Sequence, residues 1–267
     1  MNESEKEFLI KCFKRYEELK IHLSNKSNNL EKYNLDEISK NIINIYMSNN
    51  LNYDIFELTQ KFKELYVNSE SKIENNESKE EKFGIAEIYD YICNYDFKTK
   101  KFNIFTESLI IHMNLYSKCL GKEFGGKLRE EQALLFDTNI EVVPPNIAKL
   151  EFNKYISETD KLINELDKGD IFEYINGCLK IMVDLIKLQP FADGNKRTFR
   201  SLFNLMLKRK NIPPVYIGLE DTDVFSSSLL KAMVNNDYSD LNRLYIRLIC
   251  DSISLLGLEQ KNINRIH

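Results

Sequence analysis

Apolar residues recur at helical spacing along most of the chain. In the first third, Phe8, Ile10, Cys12, Phe13 and Tyr16, and then Ile38, Ile42, Ile43 and Ile45, alternate with charged positions, the pattern of amphipathic helices. From Ile171 to Leu188 the set Phe172, Ile175, Leu179, Met182, Val183 and Ile186 keeps that period, and Ile171, Cys178, Ile181 and Leu185 widen the stripe, which predicts a mostly buried helix. Phe199, Leu202, Phe203, Leu205 and Met206 define a second apolar helix ending in Lys208-Arg209-Lys210. That basic end complements the negative pole of the helix dipole and is assigned no binding role.

The pattern breaks at a few places. Residues 68–82 (NSESKIENNESKEEK) hold one apolar residue, Ile73, and read as a solvated loop. Pro144-Pro145 and Pro213-Pro214 mark loops, while Pro190 stands alone in an apolar region. Ala133 to Phe136 and Ile140 to Val143 are short apolar runs separated by Asp137, Thr138 and Asn139, a candidate β-hairpin that local sequence alone reads as a structural surface element. The expected organisation is an N-terminal helical region over 1–67, a charged loop over 68–82 and a core over 83–258, in one compact unit.

Composition narrows the class. The 267 residues are 43% apolar and 11% aromatic, with 9 Gly, 5 Pro and no Trp, too little turn material for a β-barrel, so an all-α fold is expected. Lys plus Arg number 37 against 41 Asp plus Glu, a net charge of −4, which argues against a strongly basic nucleic-acid footprint. No apolar run reaches the length of a membrane span and the start MNESEKEF lacks signal-peptide character, so a soluble cytoplasmic protein without membrane partners is expected. The five cysteines are scattered outside CxxC spacing, and His22, His112 and His267 are isolated, which disfavours a disulfide scaffold, a zinc site and a Ser-His-Asp triad.

Between the two apolar helices lies Gln189-Pro190-Phe191-Ala192-Asp193-Gly194-Asn195-Lys196-Arg197-Thr198-Phe199-Arg200, a polar loop wedged into the core. Pro190 stops the first helix, and Gly194 and Asn195 tolerate positive φ. The second helix then opens with backbone N–H groups facing the loop, the geometry of an anion nest. Lys196, Arg197 and Arg200 add cations near one face. A polyphosphate would fit, and Asp193 could hold Mg²⁺, which usually binds through one or two carboxylates plus phosphate oxygens. An Asp–Arg network that merely satisfies a buried loop fits the same residues, and at this point both readings stand.

This segment resembles the signature of Fic proteins, His-Pro-Phe-x-(Asp/Glu)-Gly-Asn-(Gly/Lys)-Arg-x-x-Arg. Seven fixed positions match: Pro190, Phe191, Asp193, Gly194, Asn195, Arg197 and Arg200. At about 5% usage each, that arises by chance about once in 10⁹ placements. The preceding helix, the PPVYI segment and Asp237-Tyr238-Ser239 are also similar to the Fic core, and Gly126 to Arg129 and the hairpin before Pro144 are similar to the family's flap. The resemblance implies an all-helical bundle with a small β-hairpin flap that binds ATP with Mg²⁺ and transfers AMP to a Ser, Thr or Tyr hydroxyl of a target protein. By the same resemblance Asp193 is the Mg²⁺ ligand, Gly194, Asn195 and Lys196 cradle phosphates, Arg197 and Arg200 clamp them, and Phe191 is the buried anchor. The hairpin at 133–143 would pair with an extended target segment by strand addition.

One position departs. The family's general base is the histidine, and this chain has Gln189 there. A carboxamide does not take up the proton, and general-base catalysis is worth roughly 10²- to 10⁴-fold, so nucleotide binding is expected to persist while transfer is impaired or lost. A second, weaker resemblance joins Ser27-Asn28-Asn29-Leu30-Glu31 to the family's inhibitory helix, Ser/Thr-x-x-x-Glu followed by Gly or Asn, although Lys32 breaks the last position. It implies that Glu31 pairs with Arg200 and makes the enzyme autoinhibited. Two alternatives are a non-catalytic nucleotide-binding pseudoenzyme and, because Lys196 matches the related Doc toxins, a Doc-like protein kinase. Arg200 argues against the latter. Exposed helices permit a homodimer.

Overall fold

The computed structural model describes residues 3–25, 29–48, 59–73, 78–119, 121–135 and 140–263. Among them the chain forms ten α-helices: α1 (Glu3–Asn25), α2 (Asn29–Ser48), α3 (Thr59–Ile73), α4 (Lys79–Cys93), α5 (Ile104–Leu115), α6 (Pro145–Leu166), α7 (Ile171–Leu188), α8 (Asn195–Arg209), α9 (Thr222–Asn235) and α10 (Ser239–Ile263). No strand occurs among the described residues. None of these helices is long and apolar enough to cross a membrane.

The chain divides into two compact units, with boundaries at the start of α3 and inside α10. The first comprises Met1–Leu58 with Arg243–His267. Its tyrosine Tyr16, fully buried, donates to Asp251 Oδ1 at 2.8 Å and to the Arg247 carbonyl at 3.2 Å, which gives the phenol the partner that a buried hydroxyl requires. Lys20 reaches the same Asp251 oxygen at 2.7 Å, and Asp36 pairs with Arg243.

The second unit, Thr59–Asn242, is built around the α7–α8 hairpin. Helix α5 packs on α8, α6 lies against α5 and α7, α4 against α5 and α8, α3 against α4, and α9 against α7. Asp170 and Glu173 form a capping box that starts α7. The aromatic centre is Phe105, Phe152, Phe191 and Phe199. Helices α4 and α5 meet closely enough that a Cβ on Gly84 would lie 2.3 Å from the Leu115 carbonyl, so only glycine fits there. Asn204 on α8 exchanges two hydrogen bonds with the Val215 backbone and so fixes the PPVYI segment.

Two local expectations differ from what is observed. The stretch 68–82, read above as a loop, contains the end of α3 and the start of α4; residues 74–77 lie outside the described residues. The β-hairpin over 133–143 is corrected: neither described arm, 133–135 or 140–143, is a strand, and 136–139 lie outside the described residues. Side chains occupy the carbonyls that a ladder would use. Gln132 Nε2 donates to the Val142 carbonyl at 2.6 Å, and Arg129 donates to those of Glu131 and Val143 at 2.9 and 2.5 Å. At the end of α8, Arg209 and Lys210 both pair with Asp167, at 2.6 and 2.7 Å.

Candidate active site

Helix α7 ends at Gln189, which adopts a left-handed conformation (φ 49°, ψ 58°). Its side chain turns inward: Nε2 donates to the Ile186 carbonyl at 2.5 Å and Oε1 accepts from Asn195 Nδ2 at 3.0 Å. Asn195 in turn spans the loop, its Oδ1 accepting from the Phe191 N–H at 3.0 Å and its Nδ2 donating to the Phe191 carbonyl at 2.9 Å. The two carboxamides therefore satisfy a buried loop that would otherwise leave polar groups unpaired. Phe191 is fully buried between Phe199 and the face of His112, whose ring centroid is 3.9 Å away.

Gly194 follows at φ 71°, where a Cβ would meet Leu115 Cδ2 at 2.9 Å, and α8 then begins without a side-chain cap. An uncapped helix start favours an anion. Lys196 is half-buried beside it. The Asp193 side chain is 77% exposed, and its Oδ2 accepts from Tyr116 Oη at 2.7 Å and from Arg197 at 3.4 Å.

Both arginines of the segment are buried and paired with buried carboxylates. Arg197 forms an ion pair with Glu81 of α4. Arg200 donates from Nε and a terminal nitrogen to Glu70 Oε2, at 3.0 and 2.6 Å, and lies over the Phe225 ring. Such charges are tolerated in a core only when paired. A carboxylate of α3, Glu70, thus sits on Arg200. Ser27 lies outside the described residues; Glu31 falls on α2, in the other unit, and its side chain is likewise outside them.

Sequence reasoning missed Glu70, Glu81, Arg129 and His112. The acids sit in the polar stretch taken for a loop, where Glu74, directly followed by Asn75, also meets the part of the inhibitory pattern that Lys32 breaks. Arg129 is buried and donates from Nε to the Gln189 carbonyl at 2.5 Å and from its backbone to the Pro190 carbonyl at 2.9 Å. His112, 1% exposed, accepts the Gly126 N–H on Nδ1 at 2.8 Å and places Nε2 3.0 Å from the Asp193 carbonyl. Burial pushes its pKa down to about 4.

A metal would find one hard donor here, the Asp193 carboxylate; among the described residues no group of three or more His, Cys, Asp or Glu could hold one. That donor set fits Mg²⁺ completed by phosphate oxygens and water, and does not fit an all-protein cage.

Residues 104–207, from the start of α5 almost to the end of α8, match the family model described as Fic/DOC family. The chain carries a Fic/DOC family domain. Over 190 residues the chain is 27% identical to "Protein adenylyltransferase Fic" of Nematostella vectensis, an alignment covering 68% of this chain and 39% of that protein. It thus spans well under half the length of that curated relative. Among solved structures, it is similar to "Fic-1 (aa134 - 508)" from C. elegans, with a TM-score of 0.66, 16% identity, and coverage of 88% of this chain and 74% of that one. A Fic domain containing signaling protein from Bacteroides thetaiotaomicron VPI-5482 gives a TM-score of 0.60, 15% identity, and coverage of 80% and 94%. Both show the fold of the Fic/DOC domain.

Proposed function

We propose that the Fic/DOC domain seats Mg·ATP over the Asp193–Arg200 turn as a protein adenylyltransferase site in which AMP transfer is suppressed at Gln189. The observation that carries this reading is the uncapped start of α8, ringed by Asp193, Lys196, Arg197 and Arg200, with the Gln189 carboxamide tied into the loop beside it. The backbone of Gly194 to Lys196 faces the phosphates, and the two arginines take their charge. Mg²⁺ held by Asp193 would neutralise phosphate charge and aid departure of pyrophosphate.

Transfer requires an acceptor hydroxyl to attack the α-phosphorus and lose its proton as the α–β P–O bond breaks. Gln189 does not take that proton, because its one acceptor oxygen already receives Asn195 and a carboxamide is scarcely basic. His112 is no substitute: the Gly126 N–H occupies the Nδ1 lone pair. Autoinhibition belongs to the same reading: Glu70 already sits on Arg200, and a carboxylate there competes with a terminal phosphate for one guanidinium. The segment 133–143, whose Val143 end Arg129 ties to Gln189, would receive the target protein, with Leu134 exposed for contact.

The test is Mg·ATP binding by calorimetry together with transfer from α-labelled and γ-labelled ATP. Expected are binding without transfer in the wild type and α-label transfer after Gln189→His. Transfer of γ-label instead supports the Doc-like reading. Absence of binding, both in the wild type and in Glu70→Ala, overturns the nucleotide site altogether. The pseudoenzyme reading rests on the same tied carboxamide and is favoured when Gln189→His binds Mg·ATP yet transfers no label.

A further inference from the structure

We infer that His112 and Tyr116, one turn apart at the end of α5, are positioning residues that together set the orientation of Asp193; the inference rests on the reading of Asp193 as the Mg²⁺ ligand. The tautomer of His112 follows from its neighbours. Nδ1 accepts the Gly126 N–H, so it carries no proton, and the single ring proton sits on Nε2, aimed at the Asp193 carbonyl 3.0 Å away. A second ring proton would set N–H against N–H. The ring face lies on Phe191 at 3.9 Å with an interplanar angle of 10°, so the imidazole is held on its face and at both nitrogens. It has no lone pair left for proton transfer, which separates it from a general base.

Tyr116 acts on the other end of the same residue. Its hydroxyl donates to Asp193 Oδ2 at 2.7 Å, the oxygen that Arg197 also approaches at 3.4 Å. An aspartate that is three-quarters exposed would otherwise rotate about its last torsion; these donors pin Oδ2 and leave Oδ1 without a donor among the described residues. His112 fixes the backbone from which the carboxylate projects, at the residue before the left-handed Gly194. A metal bound by one carboxylate depends on that orientation more than one held by several, and loss of such an outer partner typically lowers metal affinity about 10- to 100-fold.

The two ring bonds are separable by substitution. His112→Gln keeps a donor within reach of the Asp193 carbonyl and loses the acceptor for Gly126; His112→Asn keeps the acceptor and loses the donor. The experiment titrates MgCl₂ into the full chain at fixed ATP and reads the half-saturating concentration from nucleotide binding, with metal-free ATP affinity as the control. Tyr116→Phe and His112→Asn are expected to raise half-saturating Mg²⁺ about 10-fold, with metal-free affinity unchanged and His112→Gln close to wild type. Equal shifts in the two histidine variants would reduce His112 to packing and overturn its part. Where His112→Asn loses near-UV circular dichroism, Tyr116→Phe decides alone, since it keeps the ring, and an unshifted value overturns the inference. A wild-type chain that binds ATP with no response to Mg²⁺ removes the reading of Asp193 together with the inference; a wild type that responds while Tyr116→Phe is unshifted removes the inference only.

Discussion

Glu70 on α3 holds Arg200 on α8 through a single carboxylate oxygen, at 3.0 Å from Nε and 2.6 Å from a terminal nitrogen, with both side chains 3% exposed. Breaking such a pair leaves a buried charge and typically costs ~3–5 kcal/mol. An anionic ligand can fill the vacated place. We predict that Glu70→Ala lowers the melting temperature without ligand and increases the stabilisation given by saturating Mg·ATP, with about 10-fold tighter binding, a gain of roughly 1.4 kcal/mol. Glu74→Gly and the double variant extend the test to the neighbouring Glu-Asn pair. Thermal shifts with and without Mg·ATP decide it; an equal or smaller ligand shift in the variants refutes competition for Arg200.

Gln189 is the second point of control. Its carboxamide donates to Ile186 and accepts from Asn195, and a histidine there would have to leave that network to face a substrate. Restoring the base is predicted to raise α-label transfer by roughly 10²- to 10⁴-fold over any wild-type background, most visibly in the Gln189→His, Glu70→Ala double variant. The cost is modest, about 2 kcal/mol of stability for the two lost loop hydrogen bonds. Scintillation counting of labelled protein is the measurement, and tight nucleotide binding with no label above background would contradict the missing-base account.

What could be read from the sequence follows from how each feature is stabilised. Helices α7 and α8 were legible because apolar burial leaves a periodic stripe, and the loop between them because Pro190 and Gly194 punctuate it. Ser71, Glu70 and Glu81 were not: they are buried by pairing and hydrogen bonding, and a polar residue buried that way is indistinguishable in sequence from a solvated one. Helix α3 therefore looked like loop over its last residues. His112 sits in an apolar run, Leu109-Ile110-Ile111-His112-Met113, and only its distant partners Gly126 and Asp193 reveal its role. Asp137, Thr138 and Asn139 have turn chemistry, yet turn chemistry does not supply the backbone ladder, and Arg129 and Gln132 take carbonyls on either side.

Arg129 joins the loop to the segment that follows it. One guanidinium serves the carbonyls of Gln189, Glu131 and Val143, and a buried carbonyl deprived of its donor carries a desolvation cost. Arg129→Met is predicted to destabilise the chain by about 3 kcal/mol, read as a lower urea midpoint, and Arg129→Lys by less, since an ammonium keeps the charge but lacks the planar fork. Loss of label transfer in a Gln189→His, Arg129→Lys background, with Mg·ATP affinity retained, would locate its effect at the target side. Identical midpoints for Met, Lys and wild type would show that the three carbonyl bonds contribute nothing.

The last prediction concerns acid. Burial is the main cause that lowers His112 from its ordinary 6.5 to about 4, opposed by its bond to the Asp193 carbonyl and by the Asp193 charge. The folded chain thus keeps this ring neutral where the unfolded chain already binds a proton. Its contribution to stability is complete above pH 6.5 and is lost as pH falls from 6.5 toward 4, by at most about 3 kcal/mol. His112→Gln removes that linkage while leaving His22 and His267 in place. We predict that the melting temperature of the wild type falls more steeply than that of His112→Gln between pH 7 and pH 5, so that the two curves converge in acid. Parallel curves would mean that burial does not hold the imidazole neutral below pH 6.5.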